Sequence, residues 1–141
     1  MPVRFEFAAG PRVLHVTFEG VLDDASLRKA YYEVKRYTRA TDPAVGIWDM
    51  SAVTEFQASS DTVRDLGRSR PALPQPERPR FLVAPSEETY GMARMFQGVG
   101  EVTRPQLHVV RSLQAVYDEL KIAAPKYEPV PPPEEEKAHH G

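Results

Sequence analysis

Apolar residues along this chain switch repeatedly between a spacing of two and a spacing of about 3.6, the periods of strand and helix. Val3, Phe5 and Phe7 alternate with Arg4 and Glu6. After the break "AAGPR", Leu14, Val16 and Phe18 alternate with His15, Thr17 and Glu19. Two alternating runs joined by so short a break predict an antiparallel hairpin. The rhythm then turns helical: Leu27, Ala30, Tyr31, Val34 and Thr38 fall on one stripe. Asp24 is placed to cap this helix, and Asp42-Pro43 to end it, since a residue before proline avoids helical geometry.

"AVGIWDM" is apolar on both parities, the mark of a strand covered on both faces. It is read as ending near Asp49, followed by a polar loop and a helix that Ser59 or Ser60 caps and Asp61 favours through the dipole. "PALPQPERP" is a proline-punctuated loop, and "RFLVAP" a further strand. Ser86 caps a helix whose inner face is read as Met92, Met95, Phe96 and Val99. "QLHVVRS" forms the last strand, and Ser112 caps a helix with the stripe Leu113, Val116, Tyr117 and Leu120. The order β-β-α-β-α-β-α-β-α predicts one α/β domain over residues 1–124, with a mostly parallel five-stranded sheet and right-handed crossovers.

Composition changes this picture at one end. "PKYEPVPPPEEEKAHHG" combines proline and charge with almost no aliphatic content, so residues 125–141 read as an extended, disordered tail. The tail holds Lys126 and Lys137 against Glu128, Glu134, Glu135 and Glu136. Taking these from the 18 basic and 20 acidic residues leaves a body with no net charge. A neutral body supplies no general attraction to nucleic acid or anionic membrane. The absence of cysteine excludes disulfides, thiolate metal sites and a Cys nucleophile. No run approaches the roughly 20 apolar residues of a membrane span, and the N-terminus lacks a signal-peptide core, so a cytoplasmic protein is expected.

One stretch carries a motif. In "WDMSAVTEFQASSDTVRDL", Asp49, Met50, Ser51 and Val53 match the Asp-Leu-Ser-x-Val that ends a strand in the STAS, or anti-sigma-factor-antagonist, family. Farther along, Ala58 and Ser59 fall on the two serines of that family's Asp-Ser-Ser-Gly, while Gln57 replaces the aspartate and Ser60 the glycine. Through this motif and the element order, residues 3–122 resemble that family, in a branch with a degenerate phosphorylation motif. The resemblance implies a SpoIIAA-like fold, a non-enzymatic bacterial regulatory role, and Ser59 as the position that a kinase would modify.

Each site residue has a plain structural reading beside the functional one. Ser59 and Ser60 can simply cap a helix, although a phosphate there would also meet free N–H groups. Asp49 can hydrogen-bond the turn at Ser51 and Val53, or face a ligand at a strand's carboxyl end. Arg64, Arg68, Arg70, Arg78 and Arg80 surround the proline-rich loop and, with Arg94, could line an anion or partner site. His15 and His108 stand singly on separate strands, and no G-x-S-x-G or Walker pattern occurs. The reading favoured is therefore a protein-binding module, with Asp49, Ser51, Ser59, Ser60, Asp61, Arg64 and Arg68 at the partner surface and homodimerisation open. Neither cofactor nor metal is expected. The alternative is a lipid or nucleotide binder using apolar space near Trp48, Met92, Met95 and Phe96.

Overall fold

The computed structural model describes residues 3–134. His139 and His140 lie outside them. A six-stranded sheet runs in the order β5-β4-β3-β2-β1-β6. Strand β1 (Val3–Ala8) pairs antiparallel with β2 (Val13–Leu22), as the alternating runs predicted. Strands β3 (Val45–Phe56), β4 (Arg80–Val83) and β5 (Leu107–Val110) then add in parallel.

The helices divide unequally between the two faces. Helices α1 (Asp24–Thr41), α2 (Ser60–Arg68) and α3 (Glu87–Val99) lie on the face of Leu14, Val16, Trp48 and Leu82. The core there joins Phe5, Phe18, Leu22 and Phe56 to Leu27, Val34, Val63 and Leu66. The opposite face carries Val13, Ile47, Phe81 and Val83, and among the described helices only α4 (Leu113–Leu120) packs on it, through Val116 and Tyr117. This asymmetry leaves part of the second face for something else to cover.

That cover comes from the segment expected to be a tail. Glu128–Pro129 forms β6, pairing antiparallel with Glu6 and Phe7 at the sheet edge. Val130 donates its N–H to the Phe5 carbonyl, and Arg36 of α1 reaches the Pro133 carbonyl. Tyr127 lays its ring 5.2 Å from His15 and bonds the Tyr117 hydroxyl at 2.7 Å. The reading of residues 125–141 as a disordered tail is thus corrected as far as Glu134. The low aliphatic content was real, but one tyrosine, one valine and edge hydrogen bonds suffice when a ready-made strand edge is next to them.

Two further boundaries differ from expectation. Asp23, not Asp24, caps α1, its carboxylate accepting from the Ser26 N–H at 2.8 Å. Strand β3 does not end at Asp49: it continues to Phe56 beside β2, through register shifts after Thr17 and Gly20. Pairing with β4 does stop there, at Asp49↔Val83, so Ser51–Glu55 form a β2–β3 ribbon that extends past the rest of the sheet. Among the described residues no helix is long and apolar enough to cross a membrane.

Candidate functional site

Three features could carry function, and they lie in different environments. The first is the start of α2. Ser59 has extended backbone angles (φ −76°, ψ 157°), and its Oγ accepts from the Thr62 N–H at 3.2 Å, as an N-cap requires. Ser59 is exposed. Its own N–H donates to Oδ1 of Asp24 at 2.6 Å, and its hydroxyl lies 3.3 Å from Oδ2 of the same carboxylate. These bonds, first the one from the Ser59 backbone, hold the Asp24 carboxyl below its ordinary pKa. A helix N-terminus, a hydroxyl and a carboxylate therefore meet at the surface. Asp61 and Ser60 stand beside them, and Arg64 reaches Asp61 at 3.3 Å and Ser60 at 3.5 Å. Arg68, one turn on, is exposed and lies 3.8 Å from Asp65.

The second feature is buried. Strand alternation turns Trp48 and Met50 toward α1–α3 and Asp49 toward the opposite face, with Ile47. There Oδ2 of Asp49 meets Nε2 of His15 at 2.8 Å, while Oδ1 accepts from the Ser51 N–H at 2.9 Å and its hydroxyl at 2.6 Å. Burial acts to raise the Asp49 pKa, but the His15 and Ser51 hydrogen bonds outweigh it and leave the carboxyl below its usual value. Nδ1 of His15 is buried without a hydrogen bond, 3.5 Å from a Glu6 carboxylate oxygen. Tyr117 and Tyr127 complete the cluster, and burial raises both phenol pKa values. The carboxylate stands between serine and histidine, so the histidine has no hydroxyl to deprotonate. This is not the nucleophile-base order of a hydrolase.

This geometry divides the surface expected from sequence. Asp49 is only 5% exposed and faces away from the α2 side of the sheet, so it does not share a rim with Ser59. The expected turn bond from Ser51 to Asp49 is present. Reading His15 as a solitary strand histidine missed its partner. The signal was there in principle: His15 and Asp49 occupy inward positions of strands that turn out to be neighbours, but strand order is not written in the sequence.

The third feature is a cavity of about 80 Å³ between the sheet and α1–α3. Trp48, Met92 and Phe96 line it, as expected of an apolar pocket, together with Phe18, Leu27 and Leu82. Met95, the fourth residue expected there, packs against the same core but does not line the cavity. Its dimensions suit a small molecule and are too small for a nucleotide.

Two walls of the cavity are arginines, and one of them, Arg80, departs from the reading of an arginine rim around the proline-rich loop. Arg80 is 1% exposed and donates to the Leu73, Gln75 and Arg78 carbonyls, so it organises that loop from within. Arg104 is 4% exposed and donates to the Leu66, Gly67 and Ser69 carbonyls at the end of α2, and to the Tyr31 hydroxyl. Its guanidinium lies over the Phe96 ring, 4.6 Å from the centroid. Gly100 is required beside it, because a Cβ there would come within 2.6 Å of Nη1. Burial, then the neighbouring charge of Arg104, lowers the Arg80 pKa to about 10. The other arginines are dispersed: Arg78 pairs with Asp42 at 2.7 Å, and Arg94 sits by Tyr90. Among the described residues no cluster of metal-ligating side chains occurs.

Element order, sheet topology and the helix that starts at Ser59 define a SpoIIAA-like α/β fold. Two solved structures share it. One is the anti-sigma factor antagonist SpoIIAA in its unphosphorylated form, 18% identical, with a TM-score of 0.56 over 86% of this chain and 99% of that one. The other is the Bacillus cell fate determinant SpoIIAA in the phosphorylated form, 19% identical, with a TM-score of 0.53 over 84% and 98%. No protein-family model matches the sequence. No curated protein matches it either.

Proposed function

We propose that this chain is a non-enzymatic regulatory module that docks a second protein on the corner where α2 begins. Ser59 is the residue through which a phosphate would alter that corner. The observation that carries this reading is the exposed Ser59 hydroxyl at a helix N-terminus, 3.3 Å from a carboxylate of Asp24. The likeness in fold to SpoIIAA, whose structures are described in phosphorylated and unphosphorylated forms, supports it.

Physics gives the switch a direction. A phosphoserine adds close to two negative charges. The α2 N–H groups would welcome them, but the Asp24 carboxylate would be repelled and its bond to the Ser59 N–H broken. The α1–α2 junction would open, changing the face offered to a partner. Ser60, Asp61, Arg64 and Arg68 would form the rest of that face, and Asp49 and Ser51 are left out of it.

The test is affinity capture with wild type, Ser59→Asp and Arg64→Glu, read by quantitative mass spectrometry. Both positions are at the surface, so all three proteins should fold alike. The expected result is a protein recovered by wild type and lost with both variants. An identical profile from all three would sink the surface. A second reading, small-molecule binding, is favoured by one specific observation, the apolar cavity behind Trp48.

A further inference from the structure

The two buried arginines and the cavity belong together. Arg80 and Arg104 both line it, and neither is within ion-pair distance of a carboxylate among the described residues. Their acceptors are neutral carbonyls and hydroxyls. After these bonds the Nε–H of Arg104 and one N–H on Nη1 of Arg80 remain undonated. Two neighbouring cations thus sit at the wall of an otherwise apolar space with proton donors to spare, and the negative charge acting on Arg80 is that of the exposed Glu77, beyond ion-pair distance. Buried charges are ordinarily paired. Apart from Thr89 the rest of the wall is aliphatic, thioether and aromatic, and the chain's single tryptophan, Trp48, is part of it.

We infer that this cavity binds a small anionic amphiphile, an aliphatic or monocyclic aromatic carboxylate, with its carboxylate toward Arg80 and Arg104 and its apolar body against Trp48, Met92 and Phe96. The inference rests on the small-molecule reading of the cavity and is independent of docking at Ser59. The enclosed space of about 80 Å³ admits only a few non-hydrogen atoms, and the cavity is partly open to solvent, so the rest of a longer chain would extend outward, which excludes long-chain lipids held whole. Guanidinium suits the headgroup because its planar donors match a carboxylate, and a water-poor wall strengthens that attraction. The thioether of Met92 can shift to fit tails of different shape.

Trp48 gives the assay. The full-length protein is titrated with sodium octanoate, and in parallel with n-octanol, which has the same chain and no charge, while tryptophan fluorescence is followed. The expected result is saturable one-to-one binding of octanoate, with Kd on the order of 100 µM, and binding of octanol at least about tenfold weaker. A third titration uses Ala93→Leu, which adds bulk to the wall and leaves both arginines intact. It should weaken octanoate about tenfold or more, with unchanged far-UV circular dichroism as the folding control. No saturable response to either probe would overturn the cavity as a binding site. Octanol binding as tightly as octanoate would overturn the anionic class while keeping the site. Undiminished octanoate binding by folded Ala93→Leu would place the ligand elsewhere and overturn the proposal.

Discussion

Two Asp–Ser pairs in this molecule use the same atoms for different ends. Asp24 accepts from the Ser59 N–H and lies beside its hydroxyl, and Asp49 accepts from the Ser51 N–H and hydroxyl. In both the carboxyl is held below its ordinary pKa, in Asp24 first by the Ser59 backbone bond and in Asp49, against the effect of burial, by His15 and then Ser51. The first pair stands in water at a helix start. In the second the carboxylate is buried and tied to His15, while Ser51 itself is exposed. Burial of the carboxylate decides what each can do: the Ser59 hydroxyl beside a solvated carboxylate can be reached by a kinase or a partner, whereas the Ser51 hydroxyl is held at 2.6 Å by a buried carboxylate and mainly fixes structure.

The sharpest way to break the comparison is to remove each aspartate. Asp49→Ala strands the buried His15 ring, while the exposed Ser51 hydroxyl turns to water, so it should destabilise the fold by about 3 kcal/mol. Asp24→Ala exposes its partners to water, so the loss should stay below about 1 kcal/mol. Urea unfolding of both variants checks the ranking, and equal losses would erase the distinction. The buried site should also set the pH response. A carboxyl whose folded pKa is depressed adds stability above the unfolded value and loses it as pH falls through the folded one. Stability should therefore decline below about pH 4, and Asp49→Asn should flatten that decline. Glu6, Tyr117 and Tyr127, the other titratable groups around His15, stay in place in that variant.

The cover over the buried His15–Asp49 pair is the next largest effect. Tyr127→Ala removes a ring from His15 and a hydroxyl from Tyr117, and it should cost about 2 kcal/mol. Hydrogen exchange should then rise in β1 and β6 before it rises in β3. If protection at Phe7 and Val130 is unchanged, the segment does not cover the face in solution.

What could be read from sequence follows the same division. Alternation and helical stripes gave the element order, because a half-buried strand or helix must repeat its apolar positions. Ser86, Ser112 and the Ser59–Ser60 pair were recognisable as caps because such side chains bond only a few residues away, and the structure assigns the α2 cap to Ser59. Contacts between distant segments were not legible. His15 and Asp49 are 34 residues apart, and they meet only because β2 and β3 are adjacent. The continuation of β3 beyond Asp49 was hidden for the same reason: "SAVTE" is polar enough for a loop, and its strand geometry comes from pairing with β2. Residues 127–130 were misread because composition reports what a segment can bury alone, not what an open strand edge can recruit.

The smallest expected effect bears most directly on function. Ser59→Ala removes the cap bond to Thr62, and N-cap losses of this kind are about 1 kcal/mol. The Asp24 bond to the Ser59 backbone N–H survives, because it does not use the side chain. Ser59→Asp keeps a capping oxygen and favours the helix dipole, so intrinsic stability should lie at or near wild type. Repulsion from Asp24 opposes that gain, and the combination Ser59→Asp with Asp24→Asn removes the repulsion. The double variant should therefore be more stable than Ser59→Asp alone by about 0.5 kcal/mol, an increment that shrinks in high salt. A coupling of zero at low salt would mean that the two side chains do not sense each other. The proposed phosphate-driven opening of the α1–α2 junction would then lose its physical cause, even if Ser59 were still a cap.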